Sequence, residues 1–124
     1  MIYGTGTDIV EIKRIEKALN KESFVKKCFT ENEIIYLKSK NFSPETAAGI
    51  FAAKEAISKA LGTGFRGFMP QDLEILHNEF FKPCVNLLPK AEKIAASLGV
   101  NNIHISISHC KDYALAFAVT EKDV

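Results

Sequence analysis

Along residues 103–119 the chain alternates with a two-residue period. Ile103, Ile105 and Ile107 are separated by His104, Ser106 and Ser108, and further on Leu115, Phe117 and Val119 alternate with Ala114, Ala116 and Ala118. Such alternation predicts two strands, each with two distinct faces. The His109-Cys110-Lys111-Asp112 segment between them reads as a tight turn, so the pair forms a hairpin. At the other end of the chain, residues 2–7 (IYGTGT) suit a strand in which Gly4 and Gly6 admit another backbone or a ligand. From Ile9 onward the period lengthens, and Ile12, Ile15 and Leu19 fall on one helical face. Thr30-Glu31-Asn32-Glu33 has the capping-box pattern and starts a second helix through about Lys38.

Ser43-Pro44 is the start signal of a third helix, which runs to Leu61 and stops at Gly62. Alanines at 47, 48, 52, 53, 56 and 60 make that helix thin, so it can pack very close to a neighbour. A Gly/Phe-rich loop follows to Phe68. After Pro70 the alternation of Leu73, Ile75 and His77 with their neighbours, then the run Pro83 to Leu87, predicts a hairpin. Pro89 to Leu98 is a short helix closed by Gly99. The order β-α-α-α-β-β-α-β-β predicts an α+β fold over residues 1–124 as one domain, a mainly antiparallel sheet with a long helix packed on it.

Composition narrows the function classes. In 124 residues, 47% are hydrophobic and 25% charged, ordinary values for a folded domain. Lys plus Arg is 16 against 15 for Asp plus Glu, a formal charge of +1, so whole-chain charge draws neither nucleic acid nor a membrane. Cys28, Cys84 and Cys110 are odd in number and show no metal-ligand spacing, which points to buried free thiols rather than disulfides or structural zinc. The first residues lack a cationic start followed by an apolar run, and no stretch reaches transmembrane length. The chain therefore reads as soluble and cytoplasmic.

Candidate chemistry gathers in Phe51 to Gly64, FAAKEAISKALGTG. Glu55 and Lys59 stand one helical turn apart, and the helix then opens into Gly62-Thr63-Gly64, whose backbone N–H groups carry little side chain. A carboxylate, an ammonium and open backbone together suit a phosphate and Mg²⁺ site. The plainer alternative is an i, i+4 ion pair on a solvated face with a glycine stop. Asp8, at the end of the first strand, reads as the N-cap of the first helix with Glu11 at N3, as a Mg²⁺ ligand beside two strand glycines, or as both, since a carboxylate has two oxygens. His109, at a turn, is either bonded to backbone or part of a binding loop, and His104 reads as a hydrogen-bonded structural residue. Lys13, Arg14, Lys17 and Lys21 form a basic stripe without interleaved aromatics, which suits an acidic protein partner rather than nucleic acid, if it is more than a solvated face.

Three motifs share one resemblance. Gly6, Asp8 and Arg14 in the frame G-x-D-x-x-x-x-x-R, the run FAAKEA-x-x-KA-x-GTG, and SISH-x-x-x-YA-x-A over Ser106 to Ala116 resemble the AcpS-type 4′-phosphopantetheinyl transferases, the holo-[acyl-carrier-protein] synthases. The resemblance implies transfer of the phosphopantetheine arm of coenzyme A to a serine of apo acyl carrier protein, releasing adenosine 3′,5′-bisphosphate and activating the carrier for fatty acid biosynthesis. It implies Asp8 and Glu55 as Mg²⁺ ligands and Lys59 on the leaving phosphate. Glu55, or a water on the metal, takes the serine proton. Gly62, Thr63, Gly64 and His109 fall on coenzyme A contacts, with His109 near the 3′-phosphate. Lys13, Arg14, Lys17 and Lys21 fall on the surface that docks the carrier. It further implies a homotrimer with sites between subunits, for which the alanine face of the last strand is one candidate contact; that face can equally back the alanine-rich helix.

Two departures from the family pattern stand out. Ile50 replaces the arginine usual before FAAKEA, leaving Lys54 or Arg66 as candidate substitutes for its charge. Phe80-Phe81-Lys82-Pro83 replaces the N-G-K-P turn, which bears on adenine-side contacts. Competing readings are a Mg²⁺-dependent phosphotransferase using a nucleotide, disfavoured by the lack of GxxxxGK[ST], and an inert trimeric docking module, which would need neither Asp8 nor Glu55.

Overall fold

The structure, a computed structural model, describes residues 1–123. Its centre is the long helix the sequence predicts, labelled α4 below. Three strands, β1 (Ile2–Glu11), β4 (Val100–His109) and β5 (Tyr113–Lys122), form an antiparallel sheet in the order β1-β5-β4. Between β1 and the hairpin β2 (Leu73–His77)–β3 (Pro83–Leu87) lie four helices: α1 (Ile12–Ala18), α2 (Glu22–Cys28), α3 (Glu31–Ser39) and α4 (Pro44–Leu61). A short 3₁₀ turn precedes β2, and α5 (Pro89–Leu98) precedes β4. The α+β class, the antiparallel pairing and the packed long helix are as expected, with α2 as an additional element.

Local signals account for the ends of α4. The Ser43 side chain accepts from Thr46 N, Pro44 occupies the first turn, and Gly62 takes the left-handed φ of 79° at the stop. Its alanines meet small residues on the sheet. Ala114, Ala116 and Ala118 on β5 are fully buried, so the alanine face backs α4 and is not a subunit contact. The approach on the β1 side is closer still. A Cβ on Gly6 would lie 2.0 Å from the carbonyl oxygen of Ala56, and one on Gly4 would lie 2.3 Å from that of Ala60. Glycine is required at both positions because helix backbone fills the space of a side chain.

The opposite face of the three-stranded sheet is open. Ile9 pairs with Leu115, which pairs with Ser108, and Thr7 pairs with Phe117, which pairs with Ser106. On this face Ile9 is 63% exposed and Phe117 41%. His104 sits here too, bonded to Glu121 at 2.6 Å, in keeping with the structural role expected of it.

Two expectations are corrected. Cys28 is buried, but Cys84 and Cys110 are exposed, because one lies on the outer face of β3 and the other at the β4–β5 turn. Lys54 cannot stand in for the arginine missing at Ile50. Its side chain is fully buried, bonding Glu33 at 2.6 Å and the carbonyls of Cys28 and Pro70, and Ile50 itself is in the core. Arg66 lies exposed on the loop after α4. The tight glycine turn is absent, as the sequence indicated: the Asn78 side chain accepts from Phe80 N and Lys82 N, and Phe81 takes the left-handed φ of 62°.

Candidate active site

Asp8 is not a helix cap. Strand β1 continues in ladder with β5 as far as Glu11 opposite Tyr113, so Asp8 pairs with Ala116 inside the sheet. Helix α1 begins only at Ile12, with Glu11 as an N-cap whose side chain makes no capping bond. Two residues beyond Gly6, Asp8 shares the strand face that presses on α4. There it meets Lys59, whose Nζ donates to Thr7 O at 2.9 Å and stands 3.4 Å from Asp8 Oδ1. The closeness of Gly6 to α4 makes this possible, since a Cβ at Gly6 would also lie 2.9 Å from Lys59 Cβ.

Glu55, one turn earlier on α4, completes the group. Burial pushes its carboxyl above the usual range, the charge of Asp8 pushes it the same way, and Lys59 draws it back. Lys59 forms its ion pair with Asp8, so the expected alternative of a plain Glu55–Lys59 pair on a solvated face does not describe this helix. Two carboxylates that repel each other, one of them half-buried, make a donor set that a divalent cation relieves. Among the described residues no group of three or more His, Cys, Asp or Glu side chains gathers. A two-carboxylate set matches Mg²⁺, which takes one or two carboxylates and fills its octahedron with phosphate oxygens and water.

The glycine loop is less open than its composition suggests. Gly62 N–H donates to Lys59 O at 2.9 Å and Gly64 N–H to Ser58 O at 3.2 Å, so both close the end of α4. The Thr63 hydroxyl donates to Gly64 O at 2.7 Å. The loop still begins within one turn of Lys59 and is partly solvent-facing.

His109 lies elsewhere. As the last residue of β4 it stands at the start of α4, in a surface hollow with Ser43, Glu45, Thr46, Cys110 and Lys111. Glu45 is held below the usual carboxyl range chiefly by the Ser43 hydroxyl, with a contribution from His109. Glu45 and Glu55 are ten residues apart on one helix, about 15 Å at 1.5 Å per residue. A single chain thus brings Asp8, Glu55 and Lys59 together and leaves His109 at the far end of α4. Beside His109 is a cavity of about 270 Å³ lined in part by Tyr36, Ile50, His77 and Phe81. Tyr36 and His77 are stacked at 4.2 Å, and among the described residues His77 Nδ1 is buried without a partner. Neither ring is marked in the sequence, because aromatic residues scattered over α3 and β2 carry no spacing signal.

On the surface, Lys13, Arg14 and Lys17 are exposed on α1. Lys21 is displaced from their stripe, because α1 ends at Ala18 and Lys21 is the N-cap of α2. No described helix is long and apolar enough to cross a membrane.

The chain as a whole has counterparts among known proteins. The family model of the 4′-phosphopantetheinyl transferase superfamily matches residues 4–118. The holo-[acyl-carrier-protein] synthase of Clostridium beijerinckii is 54% identical over 124 residues, covering 98% of this chain and 98% of its own. The crystal structure of the synthase of Neisseria meningitidis superposes with a TM-score of 0.91 at 36% identity, covering 98% of this chain and 100% of that one. The synthase of Helicobacter pylori in complex with coenzyme A superposes with a TM-score of 0.83 at 32% identity, over 94% of this chain and 99% of that one.

Proposed function

The chain belongs to the 4′-phosphopantetheinyl transferase superfamily and is a phosphopantetheinyl transferase; from that premise we propose that it transfers the phosphopantetheine of coenzyme A to a serine of apo acyl carrier protein, with Mg²⁺. The observation that carries the reading is the meeting of Asp8, Glu55 and Lys59 where β1 crosses α4. The serine oxygen forms a bond to the phosphorus that bears pantetheine, the diphosphate bond breaks, and adenosine 3′,5′-bisphosphate leaves with the bonding electrons. Asp8 and Glu55 would hold the metal, whose chemistry when bound is neutralisation of diphosphate charge. Glu55 takes the serine proton. The Lys59 ammonium stabilises the negative charge that grows on the leaving phosphate. The product is a holo carrier fit for fatty acid synthesis. Incubation with apo carrier, coenzyme A and Mg²⁺ should yield the pantetheine adduct by mass spectrometry, and a folded protein that makes none would overturn the assignment.

The carrier's acidic surface would dock on Lys13, Arg14 and Lys17, with Lys21 at the edge. Helix α1 follows β1 only four residues after Asp8, which supports a docking face near the proposed metal pair. The separation of His109 from Lys59 within one chain supports a site shared between copies. In a homotrimer joined through the open sheet face, His109 of one copy would meet the coenzyme bound at Lys59 of the next. Phe117→Glu places a charge in the middle of that face. We expect it to sediment as a monomer and to lose pantetheine transfer; a variant that remains assembled would point to a different interface.

A further inference from the structure

One ammonium in the site has two partners on consecutive residues. Lys59 Nζ bonds the carbonyl of Thr7 and stands on the carboxylate of Asp8. Asp8 is the fixed member of the pair, at 18% side-chain exposure, and Lys59, at 54%, is the movable one. Its four-carbon stem is rooted on α4 next to Gly6, so the ammonium can swing while the helix stays in place.

We infer that Lys59 and the divalent cation compete for Asp8, and that leaving Asp8 is what delivers the lysine to the substrate diphosphate. This rests on the reading of Asp8 and Glu55 as the metal pair. Asp8 cannot keep an ammonium at contact distance while also serving a doubly charged ion, because the two cations repel twice as strongly as two unit charges would. Once off Asp8, Lys59 finds its next anion in the diphosphate held by the same metal. The exchange also makes metal and coenzyme A cooperative. Each relieves part of the cost of moving Lys59, and linkage makes the effect equal in both directions. A lysine that served only as a phosphate contact would couple to the metal through diffuse charge alone, which salt screens.

The test measures metal binding without coenzyme A. Mn²⁺ is titrated by electron paramagnetic resonance into wild type and Lys59→Gln, at low and at high ionic strength. Lys59→Gln is expected to bind Mn²⁺ roughly fivefold to tenfold more tightly, and a contact competitor keeps that gap at high salt, where diffuse charge effects fade. In parallel, the ¹³C-dimethyl-lysine signal of Lys59 should shift when Mg²⁺ is added to wild type and should not respond in Asp8→Asn. Equal or weaker Mn²⁺ affinity in Lys59→Gln overturns the competition while leaving the metal pair standing. Saturable Mn²⁺ binding by neither protein overturns the metal pair itself, and the competition with it.

Discussion

Glu55→Gln is expected to lower kcat for pantetheine transfer by at least about 100-fold, the scale on which removal of one preorganised charge-stabilising group acts. Glutamine preserves the size of the side chain, so the packing of α4 on the sheet stays intact. What it loses is the second carboxylate facing Asp8 and the group placed to accept the serine proton. The same substitution carries a stability signature of the opposite sign. Burial, seconded by Asp8, raises the Glu55 carboxyl above its unfolded value. A raised carboxyl means that the folded state holds the proton more tightly, so its contribution is favourable at acid pH and is lost as pH rises through its folded pKa. Glu55→Gln should therefore melt with wild type at acid pH and above it at neutral pH. Activity within about threefold of wild type, well short of the loss expected for a charge-stabilising group, would remove Glu55 from the metal pair and from the role of base.

Lys54→Met is expected to cost stability on the order of 3–5 kcal/mol, the usual result of orphaning one member of a buried ion pair. Whole domains of this size are stable by only about 5–15 kcal/mol, so the variant sits near the edge of folding. The pair is fully enclosed and fully bonded. Lys54 donates to Glu33 and to the carbonyls of Cys28 and Pro70, while Glu33 also accepts from Thr30 N and from Ile75 N at 2.7 Å. Four segments, the ends of α2 and α3, the 3₁₀ turn and β2, are thereby tied to α4 one residue before Glu55. Urea unfolding measures the loss directly. Glu33→Gln combined with Lys54→Met removes the stranded charge and should be more stable than Lys54→Met alone. If the double variant is worse by the sum of the single losses, the charges contribute independently and the account of an orphaned carboxylate is wrong.

What could be read in advance follows from how local each cause is. The start and stop of α4 lie in Ser43, Pro44 and Gly62 themselves, and the capping box of Thr30 and Glu33 is formed in both directions, as its spacing predicts. The β4–β5 hairpin shows its period because one face is buried and the other is not. Strand β1 misleads because Ile9 lies on the open face, where an apolar residue imitates the first turn of a helix. Helix α2 leaves a faint trace: it has seven residues, no side-chain cap, and only Phe24, Val25 and Cys28 to turn inward. Lys54, next to Glu55, looks like one more solvated charge, and only the arrival of α3 makes it a core residue. The acid–base group was visible as residue types at helical spacing. That Asp8 rather than Glu55 is the partner of Lys59, and that His109 stands beside the start of α4, depends on sheet register, which no local pattern encodes.

The closeness of Gly4 and Gly6 to α4 bears on how such a protein can vary over generations. The gap between the two carboxylates is gauged by main-chain atoms of one strand against main-chain atoms of one helix, and main-chain atoms are not subject to substitution. Drift in the surrounding core can swap one apolar side chain for another without resetting that gauge. Positions 4 and 6 are the exception. Any replacement there inserts a wedge between strand and helix, so two residues with no side chain to lose are among the least replaceable in the chain.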